Sequence, residues 1–323
     1  MKNRLNILII FAFIFSSCSD FSGNEDAVEA SLKPAPVTRT NNDNDNDDDD
    51  PPTYDLDAIT FGNNTFVAVG ESGVVRTSSD DGATWDNGTP GKQIQLDEIA
   101  YGNSTFVAVG RSGTHLYSTD NGATWDNGTW SSTADITGVA FGNNTFVGVS
   151  SSYLTVSTDN GANWSPGCTG VYVSDVAFGN SKFVASGTIG AIQISDNGSS
   201  CSTGASGTNT HTLWSITFGN NMFFSVGSIG KLIISSNNGD SFTNKTSPTT
   251  IALYSTVFGN NSFVAVGPKV VVVTDSVGNS AQITENTLSF NDVTFGNGYF
   301  VAVGNDEIIY RSTDGDTWTK VYP

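Results

Sequence analysis

The chain has 323 residues, with 32 acidic against 13 basic side chains and a net charge of -19 at pH 7. That balance excludes the basic footprint on which nucleic-acid binding depends. With two histidines and three cysteines, neither histidine in a ligand spacing such as His-x-x-x-His, no metal and no cofactor is expected.

In chain order, Lys2 and Arg4 flank an apolar-rich run from Leu5 to Phe15, followed by Ser16, Ser17 and Cys18. A charged start, a short apolar stretch and small residues before a cut describe an export signal. The run is too short to span a bilayer as a helix. The tetrad Phe15-Ser16-Ser17-Cys18 resembles a bacterial lipobox, with Phe where Leu is usual. The resemblance implies a lipoprotein-type signal at 1–17, lipidation of Cys18, and attachment to the outer membrane or cell surface through that lipid alone.

Residues 18–52 are expected to form a disordered acidic tether. They include Pro34, Pro36, Pro51 and Pro52, and six Asp between Asn41 and Asp50. Such a segment buries too little apolar surface to offset its ordering entropy, and its like charges extend it. Asp43, Asp45 and Asp47 match the first ligands of an EF-hand loop, but Asp48 and Tyr54 replace its Gly and Glu, which favours a solvated spacer.

From residue 53 to Pro323 one module recurs seven times. Its anchor is an aromatic-Gly-Asn triplet, the aromatic falling at Phe61, Tyr101, Phe141, Phe178, Phe218, Phe258 and Phe295. A fixed period of about 40 residues signals units that cannot bury their apolar faces alone. Within the second copy, short apolar and β-branched runs separated by Gly and Asn turns read as four strands, without helical periodicity. The expected fold is therefore all-β, a single seven-bladed β-propeller with four-stranded blades over 53–323.

The turn between the third and fourth strands reads Ser-x-Asp-x-Gly-x-Thr-Trp at Ser78–Trp85 and Ser118–Trp125, with Asn for Thr at Ser157–Trp164. Ser and Asp oxygens accept hydrogen bonds from such a turn while Trp packs inward. Later copies diverge: Cys201 replaces Trp, Asn237 and Phe242 replace Asp and Trp, the sixth copy keeps little beyond Gly278, and the seventh is one residue short before Gly315. The motif resembles the Asp-box, or BNR repeat, of sialidase-like propellers, and a seven-bladed form is similar to the photosystem II stability and assembly factor propellers. The resemblance implies that these Asp residues are structural.

Function is expected on the other face, where the loops differ in every repeat while hairpins and turns stay uniform. Five residues before each aromatic stand apolar residues that read as packing. Four and three residues before it stand Asp57, Asp97, Glu98, Asp175 and Asp292, read as an acidic collar at the channel mouth, with Trp214 and Tyr254 as aromatic platforms. The expected function is a noncatalytic, monomeric binding or adhesion module in the cell envelope, for a protein or glycan partner. The alternative is an extracellular glycoside hydrolase using Asp97 or Glu98 with Asp292. An exported chain can pair Cys168 with Cys201, although the sequence leaves their separation open.

Overall fold

The computed structural model describes residues 53–323 except 90, 151, 170, 171 and 209; the side chains of 280–288 are also outside the described set. The expected signal peptide (1–17), Cys18 and the tether (18–52) lie outside the described residues. No helix among the described residues is long and apolar enough to cross a membrane.

The chain is a β-propeller of antiparallel sheets, each made from consecutive strands. The expectation of seven uniform four-stranded blades is corrected: six sheets have four strands, and the sixth repeat gives a sheet of three. Its long strand, Ser262–Thr274, is not straight. Thr274 Oγ1 lies 3.4 Å from Phe263 O, whereas eleven extended residues would separate them by roughly 36 Å. The chain reverses at Pro268-Lys269, where Lys269 takes φ 62°.

Innermost strands run at Leu56–Gly62, Leu96–Gly102, Gly138–Gly142, Val173–Gly179, Leu213–Gly219, Ser255–Gly259 and Asp292–Gly296. Each ends in the aromatic-Gly-Asn triplet, and packing explains all three residues. An added Cβ at Gly62 would stand 2.0 Å from the ring of Tyr101 in the next repeat. The same contact joins Gly102 to Phe141, Gly142 to Phe178 and onward, and Gly296 to Phe61 closes the ring. Only glycine lets the neighbouring aromatic approach so near. The Asn opens a two-residue hairpin with positive φ at both positions, as at Asn63 (47°) and Asn64 (58°), the type I′ geometry that suits strand twist. Its side chain then reaches the next repeat: Asn63 Nδ2 donates to Asn121 Oδ1 at 2.8 Å and Asn297 Nδ2 to Asp81 Oδ1 at 2.9 Å.

The residues five before each aromatic, Leu56, Leu96, Ile136, Val173, Leu213, Leu253 and Phe290, are all buried. Core clusters cross repeat boundaries, as where Val67, Val69 and Val75 pack with Leu96, Phe106 and Trp125. The last sheet comprises Asp292–Gly296, Tyr299–Val303, Ile309–Ser312 and Thr319–Tyr322, so the ring closes without strand exchange. The seam is joined by backbone bonds, Leu56 N–H donating to Gly304 O at 3.2 Å and Glu307 N–H to Tyr54 O at 2.9 Å, and by side chains such as Arg76, whose Nε donates to Glu307 Oε2 at 3.0 Å and to the Tyr322 hydroxyl at 3.1 Å.

The Ser-x-Asp turns are self-contained. Asp80 accepts the Ser78 hydroxyl, the Ala83 and Thr84 N–H groups and the Thr84 hydroxyl, while Trp85 Nε1 donates to Gly82 O. The Thr84 side chain and then its N–H lead in holding the Asp80 carboxyl down at about 2. In the sixth repeat, where the motif is lost to the eye, Asp275 accepts N–H bonds from Val277 and Asn279 in the same manner.

Candidate functional site

The varied face is built around the entrance of the innermost strands. In repeats one, two, four and five the pairing register shifts between Leu56 and Ala58, Leu96 and Glu98, Val173 and Asp175, and Leu213 and Ser215. Asp57, Asp97, Ser174 and Trp214 are thus the extra residues of β-bulges. A bulge re-aims a side chain that regular pleating would send elsewhere, which lets two consecutive columns bear on the channel.

The upper column holds Asp57, Asp97, Trp214 and Tyr254. Asp57 is buried and its Oδ2 accepts Gln95 Nε2 at 2.6 Å. Asp97 Oδ2 lies 3.4 Å from Arg111 Nε, and Arg111 Nη1 also meets Asp135 Oδ2 at 3.1 Å. The Trp214 and Tyr254 rings lie 5.2 Å apart at 52°, both partly exposed. Trp214 Nε1 is buried without a hydrogen-bond partner.

The lower column overturns part of the expected collar. Asp175 and Asp292 are buried and bind backbone of neighbouring strands. Asp175 Oδ1 accepts Val176 N–H at 2.7 Å and Oδ2 accepts Ile216 N–H at 2.9 Å. Asp292 Oδ2 accepts Ile59 N–H at 2.7 Å; Oδ1 accepts Val293 N–H at 2.8 Å and the Ser255 hydroxyl. Each carboxylate therefore joins innermost strands of successive repeats. Burial pushes the Asp175 carboxyl up to about 6, against the N–H bonds of Ile216 and Val176, with the Asp292 charge adding to the rise. Glu98 is partly buried and accepts the Ile99 N–H at 2.9 Å. Sequence alignment found these columns but not their depth, because the bulges are invisible in the residue pattern.

No protein-family model matches the chain, and no curated protein matches it. Solved structures do. YCF48 bound to D1 peptide superposes with a TM-score of 0.64 at 16% identity, covering 81% of this chain and 94% of that one. YCF48 from Cyanidioschyzon merolae gives 0.63 at 18%, covering 80% and 96%. The WD40 β-propeller domain of Doa1 gives 0.64 at 14%, covering 81% and 94%. At these identities the likeness shows the propeller fold.

Among the described residues, the remaining polar side chains do not converge on one centre. Arg76 is engaged by Glu307, Arg111 by Asp97 and Asp135, and Arg311 lies over the Tyr299 ring while donating to Asp81 O. His115 is buried against Trp164, and burial lowers its pKa to about 4. Among the described residues no group of three or more His, Cys, Asp or Glu is placed to hold a metal. Cys168 and Cys201 form a disulfide between the outermost strands Ser165–Thr169 and Cys201–Thr203. Two open clefts of about 430 and 300 Å³ lie between the fifth and sixth repeats, lined by residues such as Asn244, Lys245, Pro248, Met222 and Val277. They sit at the outer rim, apart from the channel mouth; their lining is mostly Asn, Ser and Thr with the single charge of Lys245, and the mouth is the better candidate.

Three of the large apolar side chains most exposed to solvent, Tyr172, Ile189 and Ile229, are on the varied face in the fourth and fifth repeats. The sequence places the loops of Ile189 and Ile229 on the varied face without singling out these side chains. The signal was present: Ile189 and Ile229 occupy the loop position held by Ser72, Ser112 and Asp306 elsewhere.

Proposed function

We propose that this chain is a noncatalytic propeller module whose varied loop face captures an extended segment of a protein partner. The observation that carries the reading is the Trp214–Tyr254 pair, presented side by side at the mouth by adjacent innermost strands. Large amphipathic rings supply contact area at low entropic cost and tend to dominate recognition surfaces. YCF48 bound to D1 peptide shows that a propeller of this shape has a peptide-bound form. The buried, backbone-bonded state of Asp292 favours binding over hydrolysis, since both its oxygens are occupied by donors.

Kinship with Asp-box propellers, a sevenfold ring that counts the doubled strand Ser262–Thr274 as two, and a module boundary near residue 53 belong to the same proposal. So does anchorage at the cell envelope through Cys18. The test is an array of synthetic peptides of about ten residues, long enough to cross the mouth at about 3.3 Å per residue. Trp214→Ala is expected to weaken capture of array-selected peptides about tenfold or more, equivalent to at least 1.4 kcal/mol, with an unchanged melting temperature. Undiminished capture would remove the main support, and turnover of fluorogenic glycosides abolished by Glu98→Gln would replace the binding reading.

A further inference from the structure

Resting on that reading, we propose that the sector of the mouth formed by the fourth to sixth repeats recognises a partner segment of apolar side chains flanked by carboxylates. The short loops after the second strands of repeats one, two, four, five and seven share one backbone shape, a single turn whose middle residue takes a left-handed φ. In the fourth and fifth repeats that residue is Ile189 or Ile229, each at φ 54°. A β-branched side chain is strained there. Nor does burial compensate, because Ile189 is 70% and Ile229 62% exposed. Each is unfavourable in the free protein on two counts, and a covering apolar partner removes one of them.

The two isoleucines stand on loops joined to one another through backbone hydrogen bonds. Thr188 N–H donates to Tyr172 O at 3.0 Å, Gly190 N–H to His211 O at 2.8 Å, and Ser228 N–H to Thr212 O at 2.9 Å. Tyr172, Ile189 and Ile229 are thus carried on hydrogen-bonded neighbouring loops that lead directly to Trp214. Exposed apolar side chains gathered on adjoining loops mark an interaction site where scattered residues do not.

Charge identifies the partner's chemistry. Segments 187–191, 204–212, 227–231, 246–254 and 267–270 contain no Asp or Glu, but include Lys231, Lys269 and His211. Burial and then the nearby Lys231 ammonium lower the His211 pKa, which places that lysine beside these loops. The corresponding loops of the seventh, first and second repeats carry Asp55, Asp57, Glu71, Asp97, Asp306 and Glu307. In a chain of net charge -19, loops without Asp or Glu and with lysines at their margin fit an acidic-apolar segment and repel a basic one, the fourth repeat's Asp175 being buried against backbone N–H groups.

The experiment presents peptides of about ten residues, long enough to cross these loops when extended, with Leu, Ile or Phe side chains flanked by Asp/Glu, by Ser or by Lys/Arg. The acidic-apolar set is expected to bind, more weakly as salt rises, and Lys231→Glu/Lys269→Glu to reverse the flank preference. Ile189→Asn/Ile229→Asn is expected to lose about tenfold or more in affinity with an unlowered melting temperature, since Asn accepts a left-handed φ. Selection of neutral or basic peptides, or binding unchanged in the Asn double variant but lost in Trp214→Ala, overturns this inference and leaves the loop-face reading standing. Capture of no peptide at all, or preferential sedimentation with phosphatidylglycerol vesicles, overturns both.

Discussion

The two faces of the propeller use the same backbone for opposite purposes. On the hairpin face, every repeat spends its Gly, Asn and aromatic on its neighbour, so that Gly62–Tyr101 and Gly296–Phe61 are the same contact. On the loop face the backbone turn also recurs, yet its central residue changes from Ser72 to Ile189 to Asp306. Where a side chain contacts the next repeat, geometry dictates its identity; where it contacts solvent, geometry dictates only φ. Stability and recognition should accordingly separate by face.

The sharpest way to break that separation is at the ring contact. Gly142→Ala would place a Cβ 2.1 Å from the Phe178 ring, and overpacking of this kind costs about 1–3 kcal/mol or more. A fall in melting temperature of roughly 5–10 °C is expected, at about 2–4 °C per kcal/mol for a domain of this size, with peptide affinity of the folded fraction unchanged. Gly142→Ala/Phe178→Leu should recover part of the loss. A single variant as stable as the parent would show that the ring tolerates displacement.

Between the faces lies the buried Asp175, whose carboxyl sits at about 6 in the fold against an ordinary 3.8. From pH 4 to 6 the folded state holds a proton that the unfolded chain has released, so stability falls as pH rises through this window. Two pKa units correspond to an effect on the order of 2–3 kcal/mol. Asp175→Asn should be less stable, because an amide nitrogen cannot accept from Val176 or Ile216, but its urea midpoint should vary less between pH 4 and 6. Parallel pH curves for parent and variant would sink the assignment.

The pattern of legibility follows the same division. Phe61-Gly62-Asn63 and its copies could be read because each residue type has one geometric reason to recur. The lower column could be aligned but not placed, since the turn of Asp175 and Asp292 onto backbone N–H groups of neighbouring strands leaves no residue signature. Ile189 and Ile229 could be placed on varied loops but not singled out, because only the fold shows their side chains uncovered. Arg76 and Glu307, 231 residues apart, are paired by ring closure and by no local pattern.

The smallest effect tests whether turn chemistry outlives its motif. Asp120 accepts the Thr124 N–H at 2.9 Å, the Thr124 hydroxyl at 2.6 Å and the Ser118 hydroxyl at 2.8 Å. Its turn is exposed, so water replaces much of what is lost, and Asp120→Ala should cost about 1–2 kcal/mol at the ordinary net worth of a hydrogen bond. Asp275 lies in a turn with no recognisable motif, yet accepts Val277 N–H at 3.0 Å, Asn279 N–H at 2.8 Å and Asn279 Nδ2 at 3.0 Å. If the hairpin face is held by local geometry and not by the motif as such, Asp275→Ala should cost as much as Asp120→Ala. Both should leave peptide capture intact, because each turn lies across the sheet from Trp214 and Ile229. Urea melts of the two variants decide the matter: a loss for Asp120 with none for Asp275 would mean that the diverged turn is held by its flanking strands, and lost capture in either would mean that the faces are coupled.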